Sequence, residues 1–106
     1  MKYNRGELYW AEIKYEDSDT VEHRPILIWN DNKVFCVSFK VTSTDRGSVD
    51  AEYRIQDWRA AGLRNPSSVR LSHIMQIEKT KIKNKIGELS YLDMFNIIER
   101  LCRFNT

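Results

Sequence analysis

The segment HRPILIWNDNKVFCVSFKVT, residues 23–42, carries the strongest structural pattern in the sequence. Its continuous apolar run at 26–29 is typical of a strand that is covered on both faces. Residues 30–33 predict a turn, because Asn and Asp tolerate left-handed backbone and form local hydrogen bonds. From 35 to 42, large apolar residues alternate with small or polar ones, which is the two-residue period of a strand. The segment therefore predicts a β-hairpin.

The open end of this hairpin brings Arg24, at the start of the first strand, towards Thr42, at the end of the second. A three-residue loop at 31–33 sets Arg24 opposite Lys40, so that Arg24, Lys40 and Thr42 line one face. A two-residue loop would place Arg24 and Thr42 on opposite faces instead. In the plainer interpretation, Arg24 is a solvated charge and Thr42 an ordinary strand end.

Weaker strand patterns lie on both sides of the hairpin. An aromatic-rich strand at 8–15 is followed by the acidic loop 16–22, which holds four carboxylates. After a turn at 45–48 we expect strands at 49–55, 68–71 and 74–82, the last two separated by a short turn at 72–73. Residues 57–61, closed by Gly62, predict one helical turn with a glycine cap.

A C-terminal helix completes the predicted elements. Ser90 with Asp93 approximates a capping box, with Asp in the usual Glu position. Helical spacing predicts one apolar face towards the core, made by Tyr91, Met94, Phe95, Ile98, Leu101 and Cys102. Many short strands and one terminal helix give a mainly β (α+β) fold class, and we expect a small SH3-like β-barrel with a C-terminal α-helix.

Composition indicates one domain over residues 1–106. The formal net charge of +2 excludes a polycationic tail or histone-like binder. No apolar run approaches the length of a membrane span, and no signal-peptide core is present. Cys36 and Cys102 form no CxxC pattern, so we expect buried free thiols and a reducing, cytoplasmic location.

The motifs of the common enzyme classes are absent from the sequence. It contains no P-loop, no GxGxxG and no GxSxG nucleophile elbow. Its two histidines, His23 and His73, and its two distant cysteines give no zinc-ligand spacing. We therefore expect neither a metal site nor a cofactor.

Several segments, taken in order, resemble the MazF/PemK family of bacterial toxin endoribonucleases. RGELYW at 5–10 is similar to the family's N-terminal pattern, and HRPILI at 23–28 to its R-P strand. VTS at 41–43 matches the end of the next strand. The later segments DW, AGL, PSSVR, EKTKI and KIGELS, within 57–90, resemble a family variant and its entry to the last helix.

The resemblance implies an SH3-like barrel that forms a homodimer, cuts single-stranded RNA without metal and is neutralised by a small antitoxin. It assigns the catalytic pair to Arg24 and Thr42, with Ser43 beside them. The implied reaction is attack of a ribose 2′-hydroxyl on the adjacent phosphate, and the group that takes the proton is left open.

Five further residues are candidates around this pair. Lys40 replaces the proline that the family usually has before its I-T-S segment, and we place it with Ser43 among the substrate-binding residues. The resemblance suggests a substrate contact for Arg70, with a surface salt bridge as the alternative. Lys79 and Lys81 are candidates for guiding RNA, or for protecting an exposed strand edge. His23 is an imidazole candidate for proton transfer, although strand alternation points it away from Arg24.

Two other functions stay open at this stage. A gyrase-directed toxin of the CcdB type shares the fold, but those proteins end in a tryptophan-bearing tail whereas this chain ends RFNT. A relative that binds RNA or protein without cutting is the third alternative. The acidic loop 16–22 near the proposed site is unfavourable for RNA, because four carboxylates repel phosphate.

Overall fold

The computed structural model describes residues 2–14, 20–43 and 52–104, which form an antiparallel sheet and one C-terminal helix. The strands are β1 Glu7–Lys14, β2 Val21–Asp31, β3 Phe35–Thr42, β4 Glu52–Arg54, β5 Ser68–Glu78 and β6 Ile82–Glu88. A 3₁₀ turn, Lys79–Lys81, precedes β6, and helix α1 spans Tyr91–Phe104. The strand order is β4-β5-β3-β2-β1-β6. The predicted mainly β class with a terminal helix is confirmed, and this sheet is open, with β4 and β6 at its edges.

The predicted hairpin is formed by β2 and β3, but its register differs from the expected one. Lys40 pairs with Ile26 rather than with Arg24. The pairing shifts between Ile28 and Asn30, where β2 carries an extra residue, and Asn32 N–H closes the turn on the Phe35 carbonyl at 3.0 Å. The displacement is two residues, and since side chains alternate with a period of two, it leaves the predicted face unchanged.

The middle of β2, residues 26–28, is buried on both faces, as its continuous apolar run predicts. Ile26, Leu27 and Ile28 are each fully buried. Leu27 packs with Phe39 and Ile97 in a core between the sheet and α1. On the other face, Ile26 and Ile28 belong to a second core, which also contains Tyr3, Tyr9, Ala11, Ile13, Cys36, Ile77 and Ile82.

The second half of the chain departs from the predicted strands. Neighbouring residues Phe39 and Lys40 pair with Ile74 and Arg70, so β5 is one strand with a bulge at 71–73, and the predicted turn at 72–73 is wrong. Strand β6 was not predicted, because its surface-exposed KNK sequence has no apolar alternation. Strand β4 ends at Arg54, one residue before the predicted end, and the turn predicted at 45–48 and the start of the predicted strand at 49–51 lie outside the described residues.

Helix α1 begins at the predicted cap. Asp93 N–H donates to Ser90 Oγ, which in turn donates to Asp93 Oδ2, both at 3.2 Å. The predicted core face of the helix is only partly right, because Met94 and Leu101 pack against the core but the other predicted residues do not. Tyr91, Phe95 and Ile98 are 97%, 65% and 44% exposed, whereas Asp93 and Ile97 are fully buried.

The helix carries apolar residues on two sides, and spacing alone does not say which side meets the sheet. The prediction of a buried thiol is therefore wrong for Cys102, which is exposed on α1, and right for Cys36. Helix α1 has 14 residues, and no helix of the described chain is long and apolar enough to cross a membrane.

Buried Asp93 also joins the helix to the segment after β4. Its carboxylate accepts hydrogen bonds from Tyr53 Oη at 2.6 Å, Gln56 N–H at 2.9 Å and Asp57 N–H at 3.0 Å. The turn predicted at 57–62 follows, with Ala61 N–H on the Asp57 carbonyl and Gly62 at φ +92°. The carboxylate thus sets where the chain leaves β4 and enters the loop that borders the site.

Candidate active site

A groove of about 460 Å³ opens where β2 begins and β3 ends. The ends of these two strands contribute His23, Arg24, Thr42 and Ser43 to its lining. The loop 62–67 and strand β6 contribute Arg64, Asn65 and Lys85. Segments that are distant in the sequence therefore meet at this groove.

Arg24 and Thr42 come together through the β2–β3 register. The paired residues of β2 and β3 end at Ile26 and Lys40, and the same alignment continued by two residues would bring Arg24 level with Thr42. Both residues line the groove with Ser43, and so does His23, although strand alternation pointed it away from Arg24. Arg24 Nε lies 3.1 Å from Glu22 Oε2, in an exposed ion pair with the last residue of the predicted acidic loop. The other carboxylates of that loop lie outside the described residues.

The described lining of the groove is cationic and partly apolar. Arg24, Arg64 and Lys85 contribute positive charge, and none of the described lining residues is a carboxylate. Trp10, Pro25, Leu63 and Ile86 supply flat or apolar surface among them, and Trp10 is 37% exposed. Positive charge combined with aromatic and apolar surface is the combination that binds single-stranded nucleic acid.

Lys85 is anchored by a buried carboxylate. Its Nζ lies 2.8 Å from Glu7 Oε2, and the Glu7 carboxylate also accepts from Asn4 N–H at 2.7 Å and Tyr9 Oη at 3.3 Å. Burial by itself raises the pKa of Glu7, but hydrogen bonds from Lys85 and Asn4 outweigh it and hold the pKa below its ordinary value. The same hydrogen bond to Glu7 raises the pKa of Lys85. Glu7 therefore holds the Lys85 side chain in position and favours its protonated form.

Lys40 and Arg70 lie side by side on the neighbouring part of the sheet and do not line the groove. They pair across β3 and β5, and Arg70 Nε lies 3.3 Å from Glu52 Oε1 in an ion pair whose geometry is not that of a hydrogen bond. His73 is close to both cations. Burial lowers the pKa of its imidazole, and the charges of Lys40 and Arg70 lower it further. A second basic cluster thus adjoins the groove.

A model of the PemK-like, MazF-like toxins of type II toxin–antitoxin systems matches residues 4–104. The chain belongs to this family. The predicted resemblance is therefore confirmed over nearly the whole chain. A comparison with curated protein sequences finds no significant match.

Solved structures of similar fold include relatives from mycobacteria. An endoribonuclease in complex with its cognate antitoxin, from a Mycobacterial species, superposes with a TM-score of 0.78 at 20% identity, over 96% of this chain and 93% of that one. A second Mycobacterial endoribonuclease gives 0.72 at 19% identity, over 93% and 86%. The Mycobacterium tuberculosis toxin MazF-mt6 gives 0.72 at 20% identity, over 89% and 90%. These likenesses establish that the chain has the fold of MazF-like toxins.

Two of the predicted substrate residues lie elsewhere in this MazF-like fold. Lys79 is ion-paired with Asp31 at 2.7 Å and lies 5.7 Å from the centre of the Tyr3 ring. Lys81 borders a separate cavity that is also lined by Glu12 and Glu78. The structure therefore does not bring these two lysines to the groove that holds Arg24.

Sequence reasoning missed the groove residues Arg64, Asn65 and Lys85. Arg64 and Asn65 fall between the AGL and PSSVR segments, and Lys85 opens the KIGELS segment. Both stretches resemble the family, but neither contains a strand or helix pattern that would bring it to the hairpin. The one signal in the sequence that could have identified these residues is the position of two glycines next to two cations. Gly62 lies two residues before Arg64, and Gly87 lies two residues after Lys85.

Proposed function

We propose that this member of the family is a metal-independent endoribonuclease that cleaves single-stranded RNA. The observation that carries the proposal is the meeting of Arg24, Thr42 and Ser43 in a cationic groove with apolar surface beside them. Relatives of the same fold that are named endoribonucleases support it. On the adjoining sheet surface Arg70 is ion-paired with Glu52, so Lys40 extends the positive charge along which RNA would lie.

The reaction needs a charged phosphorane to be stabilised. A ribose 2′-oxygen attacks the adjacent phosphorus, the bond from phosphorus to the 5′-oxygen breaks, and a cyclic 2′,3′-phosphate and a 5′-hydroxyl result. Arg24 binds the phosphoryl oxygens, because a guanidinium donates two parallel hydrogen bonds to them. The hydroxyls of Thr42 and Ser43 donate further hydrogen bonds. We propose that His23, which also lines the groove, moves a proton between the two oxygens.

Cleavage of long single-stranded RNA in the presence of EDTA tests this function. Wild-type protein should yield discrete fragments that end in a cyclic phosphate. The Arg24→Ala variant should lose about 10²-fold or more in rate, which is the usual cost of removing one group that stabilises the transition state. Arg59→Ala is the matched control, because Arg59 stacks on Trp58 at 4.9 Å and does not line the groove. Uncut RNA from folded wild type, tried over varied sequences, would contradict the proposal.

We infer that a small antitoxin neutralises this toxin. The family is one of toxins of type II toxin–antitoxin systems, and one similar structure is of an endoribonuclease with its cognate antitoxin. Co-expression of the neighbouring gene should restore growth and remove RNA cleavage from the purified complex. Growth arrest by an Arg24→Ala variant equal to that by wild type would favour a non-nuclease toxin of the gyrase-directed type.

We further propose a cytoplasmic homodimer. The exposed apolar side chains Tyr91, Phe95 and Ile98 form a stripe along α1 that a second copy of the chain would cover. Free cysteines agree with a reducing compartment. Sedimentation should show a dimer for wild type and a monomer for Phe95→Glu, while Thr80→Glu, an exposed substitution elsewhere, should leave the dimer intact. A monomeric wild type would refute the dimer and leave the nuclease proposal standing.

A further inference from the structure

Two glycines build one wall of the groove. At Gly62 a Cβ atom would lie 2.4 Å from the Ile86 carbonyl oxygen, and at Gly87 a Cβ atom would lie 2.1 Å from the Ala61 carbonyl oxygen. Real Cβ atoms do not approach a carbonyl oxygen so closely, so both positions require glycine. Gly62 also has φ +92°, a conformation that side chains disfavour. The backbone of the loop therefore rests directly on the backbone of β6.

This contact joins two cation-bearing segments into a single surface, residues 62–65 and 85–86, which we call the loop wall. It carries Arg64 and Asn65 from the loop and Lys85 from β6, and all three line the groove. Among the described residues, no carboxylate forms an ion pair with the exposed Arg64. An exposed arginine on a groove, with its five donors uncommitted to an acidic partner, is suited to an incoming anion.

Lys85 could instead serve only as a structural partner of Glu7. The difference in burial between the two side chains argues against a role that is structural only. The Lys85 side chain is 47% exposed, whereas that of Glu7 is 9% exposed. The carboxylate takes one of the three donors of the ammonium, which leaves the other two available to a ligand in the groove that Lys85 lines. A buried anchor of this kind orients a lysine that would otherwise lose side-chain entropy on binding RNA.

We propose that Arg64 and Lys85 on the loop wall bind a phosphate of the RNA that flanks the scissile phosphate held by Arg24 and Thr42. The inference rests on the nuclease function proposed above and extends its substrate contacts to a second phosphate. One small anion would need only the cation at the Arg24 end of the groove. Cations at both the strand ends and the loop wall instead suit a polymer with repeating phosphates. Trp10, which lines the groove among the cations, offers a face for a base.

The experiment measures binding without cleavage. The probe is a fluorescein-labelled, single-stranded oligoribonucleotide of random sequence with 2′-O-methyl groups, which lacks the attacking hydroxyl. Fluorescence anisotropy gives its affinity for wild type, for the variants Arg64→Ala and Lys85→Ala, for the double variant and for Arg59→Ala. Measurements between about 50 and 200 mM salt give the slope of log affinity against log salt, which counts phosphate contacts.

Each single alanine variant should weaken binding roughly two- to fivefold, as expected for an exposed charged contact. Each should also lower the salt slope by about 0.7, the value for one contact to single-stranded nucleic acid. The double variant should lower it by about twice as much, and Arg64→Lys should keep the slope because it keeps the charge. Arg59→Ala should match wild type, since the loss of a cation outside the groove removes no contact.

The outcomes separate this inference from the nuclease function. If wild type cuts RNA and both alanine variants keep the wild-type affinity and slope, the loop wall binds no phosphate and the inference is overturned. If the variants keep RNA affinity but lose binding of the antitoxin, the wall is a protein-binding surface and the inference again fails. If wild type neither cuts RNA nor binds the probe, the nuclease function itself is wrong.

Discussion

Replacement of the buried carboxylate Asp93 tests how the groove is attached to the helix. Its two oxygens accept from Tyr53 Oη, from the backbone N–H groups of Gln56 and Asp57, and from Ser90 Oγ, at 2.6 to 3.2 Å. The side chain has no exposed surface. Because each of its contacts is a donor, the site needs a group that only accepts, and a carboxylate supplies two such oxygens.

The substitution Asp93→Asn keeps the shape and replaces one acceptor by an NH₂ donor. If the amide nitrogen replaces Oδ2, it faces the N–H of Asp57, and two donors then point at each other. Losing that bond and burying its donor costs about 1–3 kcal/mol. Asp93→Ala leaves both backbone N–H groups without an acceptor and should cost roughly twice as much, about 2–6 kcal/mol. Both losses are large against a total stability of about 5–15 kcal/mol.

Urea unfolding at neutral pH and fixed protein concentration, followed by tryptophan fluorescence, measures the free energy of unfolding. Glu99→Gln, on the exposed side of the same helix, is the control and should change it by less than about 0.5 kcal/mol. Since residues 56 and 57 lead into the loop wall, Asp93→Asn should also weaken binding of the RNA probe. An Asp93→Asn protein as stable as the control would refute the reasoning that the carboxylate is required as a double acceptor.

Three further predictions follow from single contacts. Gly87→Ala should keep the circular dichroism of the folded chain but weaken RNA-probe binding, because its Cβ displaces the loop wall; wild-type affinity would contradict this. Glu7→Gln should be less stable than wild type at neutral pH. Since the native pKa of Glu7 lies below its ordinary value of 4.5, the difference in unfolding free energy should persist above that pH and shrink as pH falls through the native pKa. Cys102 should react with a thiol reagent in the native protein, whereas burial and Asp31 raise the pKa of Cys36 to about 11, so mass spectrometry should find Cys36 modified only on unfolding.

Local patterns determined those parts of the fold that depend on a few neighbouring residues. The β2–β3 hairpin, the double-sided burial of 26–28 and the Ser90 cap follow from apolar periodicity and capping chemistry, and the structure has each of them. The ordered segments from 5 to 90 also identified the family, which matches residues 4–104. The face shared by Arg24 and Thr42 was predictable despite the wrong register, because an error of two residues does not change a face.

Contacts between distant segments were decided only by the tertiary structure. The sequence presents two apolar sides on α1, and packing against the sheet selected the side with Ile97 and left Phe95 exposed. Strand β6 has too few apolar residues to be predicted from the sequence, and it forms a strand because it pairs with β1. Gly62 and Gly87 lie 25 positions apart in the sequence, and nothing in the sequence around them indicates that their backbones lie close together. That backbone contact, which no local propensity encodes, brings Arg64 and Lys85 to the groove beside Arg24.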